Sequence, residues 1–225
     1  GHAAISEGRH EDARKLFYEA IEIAKRLDNP ALEASVRNEA GKADRYLGTY
    51  DRAREHHERA RILARQAGYQ ALQADASLNL NLLAMSTGDF QQAQRWIEEN
   101  LAISRAIGDR PAYGWALQSL VRCYIFQGQF DRAHNLLEQL RVFIEETPYR
   151  NQPENYYLLA GDYYLLQGDL NTGERFYRKS LATAQDPLYR GWCYRGLGSV
   201  YRFRRDWDGA IEALENAIAI SEATG

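Results

Sequence analysis

Lysine is scarce in this 225-residue chain: four of its 28 basic residues are lysines (Lys15, Lys25, Lys42, Lys179) and the other 24 are arginines. Cysteine is scarcer still. Cys123 and Cys193 are the two present, too few for a disulfide framework, which points to a reducing, cytoplasmic setting. Five prolines leave room for long helices, since each proline inside one removes a donor and clashes with the preceding turn. No apolar run nears the ~20 residues a membrane-spanning helix needs, and no basic n-region with an apolar h-region opens the sequence, so no membrane partner is expected. A formal charge of −3 gives no global field to steer the chain toward nucleic acid. With 45% hydrophobic and 26% charged residues, the composition is that of a folded globular chain rather than a disordered one.

Catalytic patterns are missing as well. There is no Gly-x-x-x-x-Gly-Lys-Ser/Thr phosphate loop, no His-Glu-x-x-His metal helix and no Gly-x-Ser-x-Gly elbow. His56-His57 is the one histidine pair, and His57 falls where a helix would bury it, so packing outweighs metal binding. Glu98-Glu99 and Glu145-Glu146 read as solvated helix surface. Cys123 and Cys193 lie among aromatic and aliphatic neighbours and read as inert core thiols. The expectation is a non-enzyme with no catalytic residue, metal or cofactor.

What the chain has is a repeat. Glycines at 8, 48, 88, 128 and 168 keep a period of 40, each opening a six-residue segment such as Gly48-Thr-Tyr-Asp-Arg-Ala53 or Gly128-Gln-Phe-Asp-Arg-Ala133. A sixth copy, Arg205-Asp-Trp-Asp-Gly-Ala210, arrives after 37 residues without the glycine. Glycine ends a helix cheaply in the left-handed conformation. The Asp, Thr or Asn behind it can accept from orphan amides at the next helix start. The small residue five places on (Ala13, Ala53, Ala93, Ala133, Gly173, Ala210) allows two helices to approach closely. Between the turns apolar residues recur at spacings of three and four, as at Ala93, Ile97, Leu101 and Ile103-Ile107. All five prolines sit at unit junctions. Each unit is therefore two antiparallel helices of about 17 residues, each about 25 Å long.

This pattern resembles the tetratricopeptide repeat over nearly the whole chain. In that family the first helix of each pair, helix A, carries a small residue seven places before the turn glycine. Here those places hold Gly41, Asn81, Val121, Gly161 and Gly198, and Leu197-Gly198 with Tyr201 fits the family signature best. Helix B's small place holds Ala20, Ala60, Asn100, Leu140, Ser180 and Ala217, a looser match. The 40-residue period is longer than the family's usual one and is similar to repeats in bacterial signalling regulators and cell-polarity adaptors. The resemblance implies one all-α, right-handed superhelical solenoid over 1–225, with six helix-turn-helix units at about 1–29, 30–68, 69–109, 110–148, 149–186 and 187–225. Terminal repeats need a polar cap, and Ile211, Leu214, Ile218 and Ile220 read as uncapped. That favours a fragment of a longer chain, or self-association through the ends.

The family holds ligands on helix A, at places 2, 5, 9 and 12 of each unit. The resemblance therefore implies a concave site including Asn38, Lys42, Arg45, Asp75, Trp115, Gln118, Arg122, Leu158, Asp162, Trp192, Arg195 and Arg202. The spacing does not match the carboxylate clamp of chaperone-binding members. The last helix A, from Pro187 to Arg205, holds five arginines, no acid and interleaved aromatics. Three readings stay open there: internal pairing with Asp162 and its neighbours, an acidic peptide, or nucleic acid, the last disfavoured by the net negative charge. The function expected is a protein- or peptide-binding module whose partner carries acidic residues flanking apolar anchors. The alternatives are a ligand-sensing domain of a bacterial regulator and a structural or self-assembly spacer.

Overall fold

The computed structural model describes residues 10–146 and 153–224; the turn glycine Gly8 and Pro148 lie outside them. Among the described residues every regular element is an α-helix: α1 (His10–Arg26), α2 (Pro30–Tyr46), α3 (Tyr50–Gln66), α4 (Gln70–Ser86), α5 (Phe90–Ala106), α6 (Arg110–Phe126), α7 (Phe130–Glu146), α8 (Pro153–Leu166), α9 (Leu170–Thr183), α10 (Pro187–Phe203) and α11 (Trp207–Thr224). Most are 17 residues long, as the period requires; α8 and α9 have 14. The helix pairs are α2/α3, α4/α5, α6/α7, α8/α9 and α10/α11, with α1 the helix B of the opening repeat. The chain divides into two compact units, Gly1–Leu117 and Gln118–Gly225, each described by itself.

The turns work as their sequence suggests. Gly48, Gly88, Gly128 and Gly168 all have positive φ, as do the mid-unit Gly68 and Gly108. In each turn the residue after the glycine donates its amide to the carbonyl five places back, as Thr49 does to Asp44 (2.9 Å) and Asp169 to Tyr164 (3.0 Å), closing the helix end. Arg205 takes the same left-handed conformation without being glycine (φ 62°), and Asp206 completes the same bond to Tyr201. Side chains of Asp89 and Asp169 then cap the next helix by accepting from the amides of Gln92 and Thr172.

Close packing is organised as pairs sixteen places apart. A methyl group on Gly41 would lie 2.6 Å from the His57 ring, one on Gly161 2.6 Å from the Tyr177 ring, and one on Gly198 3.0 Å from Leu214. Gly196 presses on the other flank of Tyr177, so one phenol ring fills the gap between two successive A helices. Leu214 touches Gly198 on one flank but is still exposed, as are Ile211 and Ile218. Ile220 is half-buried beside Gly191.

The looser helix-B places have their own explanation. Asn100 Nδ2 donates to the Ala74 carbonyl and Ser180 Oγ to the Glu154 carbonyl, both 26 residues back and both 2.6 Å. A polar side chain there bonds to the first turn of its partner helix instead of merely being small.

Asn81 has no such compensation. It is fully buried in α4 at the family's small place, and neither its Nδ2 nor its Oδ1 has a hydrogen-bond partner. Leaving both atoms unsatisfied costs more than the small void alanine would leave, and alanine is the better helix former. Asn81→Ala should raise stability by about 1 kcal/mol, or Tm by roughly 2–4 °C. A lower Tm in calorimetry would mean the amide is satisfied after all.

Candidate functional site

In the first unit the A helices α2 and α4 meet through a buried polar ladder. Asn38 Nδ2 donates to Asp75 Oδ2 at 2.6 Å, and Asn38 Oδ1 accepts from Asn79 Nδ2 at 3.2 Å and from His57 Nδ1 at 2.8 Å. Asn38 is 1% exposed, so it serves this ladder rather than the open face. Lys42 lies at the rim, 2.8 Å from Glu39 and 3.5 Å from Asp75. Burial alone would lower its pKa, but the Glu39 bond and the Asp75 charge carry it above its ordinary value, so it stays cationic. The Arg45 guanidinium lies 4.6 Å over the Tyr46 ring, and its buried Nε lacks an acceptor. Trp115, on α6, is 43% exposed.

The second unit repeats the ladder. Asn155 donates to Gln118, 37 residues apart like Asn38 and Asp75. In the next register the pair is apolar instead: Leu158 and Trp192 belong to one core cluster. Arg122, Leu158, Asp162, Leu165, Trp192 and Arg195 then line a cavity of about 380 Å³ floored by Tyr177 and Gly196. Arg122 lies 5.6 Å from the Trp192 ring centre. Asp162 Oδ1 accepts from the Tyr177 hydroxyl at 2.7 Å. Burial raises the Asp162 pKa against the pull of Tyr177, Arg122 and Arg195, and burial lowers that of Arg122 despite Asp162. Arg195 and Arg202 are both exposed on α10.

Internal ion pairing therefore takes Arg204, at the end of the last helix A, rather than Arg195 or Arg202. Arg204 binds Glu174 and Asn171, Arg178 of α9 binds Glu174 and the Tyr201 hydroxyl, and Arg202 lies over Phe203. Glu99, read from sequence as solvated surface, instead ties three helices of the first unit. Its carboxylate accepts from Arg61 of α3 at 3.0 Å and from Gln73 of α4 at 2.7 Å, while Arg61 stacks on Trp96 at 4.9 Å. Sequence reasoning also missed Tyr177 and Gly196 as parts of the cavity; the extra glycine two places before Gly198 was the available signal. His57, Cys123 and Cys193 are buried. Burial pushes the Cys193 thiol up to about 11, which keeps it unreactive. Among the described residues no group of three His, Cys, Asp or Glu side chains could hold a metal ion, and no helix is long and apolar enough to cross a membrane.

Solved structures with the same fold are remote in sequence. BtubC (BKLC) from P. vanneervenii superposes with a TM-score of 0.71 at 18% identity, over 95% of this chain and 91% of that one. NprR in complex with its cognate peptide NprX gives a TM-score of 0.75 at 13% identity, over 97% and 68% of the two chains. Aspartyl phosphate phosphatase F from Bacillus subtilis gives 0.70 at 13%, over 92% and 64%. A comparison with curated protein sequences finds no match. The tetratricopeptide repeat family model matches residues 1–66, 72–141 and 153–223. With the period, the left-handed turn glycines and the ring-on-glycine packing, that match makes the chain a member of the tetratricopeptide repeat family.

Proposed function

We propose that this chain is a non-catalytic module that holds a protein or peptide segment on its helix-A face, the partner carrying acidic residues beside apolar anchors. One observation carries the reading. The acids of that face are already engaged, Asp75 by Asn38 and Lys42 and Asp162 by Tyr177, whereas on the last helix A Arg195 stands exposed in the cavity that Trp192 lines and Arg202 stands exposed over Phe203. Cations next to accessible apolar groups suit an anionic, partly apolar segment, with charges setting on-rate and apolar contacts affinity. NprR, similar in fold, was solved with its cognate peptide bound, which is consistent with this use of the fold.

Charge reversal should be made at Arg195 and Arg202, which are both exposed, rather than at the half-buried Arg122. Arg195→Glu with Arg202→Glu should weaken a captured partner at least about tenfold in titration while leaving Tm nearly unchanged, and raised salt should reproduce part of the loss. Equal affinity of both proteins for the same partner would move the binding site off this face.

A further inference from the structure

The cavity in the second unit holds two guanidiniums, Arg122 and Arg195, against a single carboxylate, Asp162. Arg122 and Arg195 both line it, and neither forms an ion pair among the described residues. Arg122 is half-buried, lies 5.6 Å from the Trp192 ring centre and feels the charges of Asp162 and Arg195. Desolvated cations are costly, and one acid against two cations leaves positive charge in excess: Asp162 offsets part of the cost for Arg122 and also accepts from the Tyr177 hydroxyl. The rest of the wall is apolar, with Leu158, Leu165 and Trp192. The volume of about 380 Å³ lies in the range of ligand pockets and accommodates one large apolar side chain with a small polar group beside it.

We infer that this cavity is a subsite for a carboxylate carried next to a large aliphatic group, with Arg122 and Arg195 taking the carboxylate and Leu158, Leu165 and Trp192 taking the aliphatic part. The inference rests on the helix-A face being the binding face, and it names the chemistry that one part of that face reads. Two guanidinium forks favour a planar carboxylate that can accept several hydrogen bonds at once. The same chemistry has two sources in a peptide: a free C-terminus after an aliphatic residue, or an acidic side chain beside one.

Three probes separate these, read by the Trp192 indole signal in NMR spectra of the full chain, assigned with Trp192→Phe. N-acetyl-leucine carries a terminal carboxylate, N-acetyl-aspartyl-leucinamide a side-chain carboxylate, and N-acetyl-leucinamide none. At least one acid should shift the Trp192 signal saturably with a Kd of about 1 mM, the strength a ligand of this size reaches. The neutral amide should bind at least about fivefold more weakly, and Arg195→Gln should erase most of that difference. Arg122→Gln should do the same; if it fails to fold, Arg195→Gln, exposed on α10, still decides. The tighter of the two acids identifies the source. Equal binding of acid and amide, or no Trp192 shift from either acid up to about 10 mM, overturns the assignment. If the probes fail while Arg195→Glu with Arg202→Glu still weakens the captured partner, the binding face stands and this subsite falls. If the probes behave as expected while that double variant recovers its partner unchanged, the subsite stands and the peptide-module reading falls.

Discussion

Ala93→Arg should destabilise the first unit by about 3 kcal/mol or more. Ala93 is fully buried in the first turn of α5, and its counterparts Ala13, Ala53 and Ala133 are equally inaccessible. A small residue in every copy, alanine in five and Gly173 in the other, marks a place where the paired helices approach closely. An arginine there has no void to occupy, so either the helices part or the guanidinium is buried without an acid. Stability in a repeat protein is roughly a sum of repeat and neighbour terms. The loss can therefore appear as an early, separate transition rather than a shift of the whole melt. In calorimetry the first transition should fall by roughly 6–12 °C, at about 2–4 °C per kcal/mol. Gln91→Arg, two residues earlier and exposed, supplies the control and should move Tm little. A melt of Ala93→Arg that overlays the unmutated protein would place Ala93 on the surface and dissolve the argument from the repeat.

The repeat was legible in the sequence because each of its signals is local. A left-handed glycine, a capping aspartate and a small residue five places on occupy one turn and recur every 40 residues. The gaps in the pattern were not legible, because what fills them is a property of pairs. Gly41 and Gly161 look alike in the sequence, yet one receives the His57 ring and the other the Tyr177 ring. Asn100 and Ser180 read as departures from a small-residue rule until their bonds to the preceding helix A are seen. Helix-A periodicity gave the positions of the candidate site but not their state. Asn38 and Gln118 share the register of Arg195, and the first two are drawn into ladders between successive A helices while Arg195 is exposed. Whether a polar side chain on that face is engaged depends on which residue stands at the second place of the following unit. Asp75 and Asn155 engage theirs, and the last helix A has no following unit within the described residues. Glu99 was misread for a related reason: its partners, Arg61 and Gln73, belong to two other helices.

The ladder in the first unit also makes a pH-dependent prediction. His57 is fully buried, and its Nδ1 donates to Asn38 Oδ1, an oxygen that can only accept. Its Nε2 is buried with no partner, so a second proton would create an unpaired charge in the core. Burial accordingly lowers its pKa from 6.5 to about 3, with Lys42 and Arg45 adding to the effect. The unfolded chain binds a proton on this imidazole below about pH 6.5, and the folded chain refuses it until about pH 3. Stability from neutral His57 is therefore complete above about pH 6.5 and is lost progressively as pH falls toward 3, with a slope approaching 1.4 kcal/mol per pH unit. By pH 4.5 the loss should reach about 2–3 kcal/mol. Carboxylates with lowered pKa, and His56, whose burial lowers its pKa against the pull of Asp44, add their own acid sensitivity. The readout is therefore a difference between two proteins. His57→Leu keeps an apolar group against Gly41 and leaves Asn38 Oδ1 its bond from Asn79. Denaturant unfolding at pH 7.5, 6 and 4.5 should show the unmutated protein losing about 2–3 kcal/mol more than His57→Leu over that span. Parallel curves would mean that water or a local opening reaches Nε2, and that the ring is not sealed between α2 and α3 as its packing on Gly41 indicates.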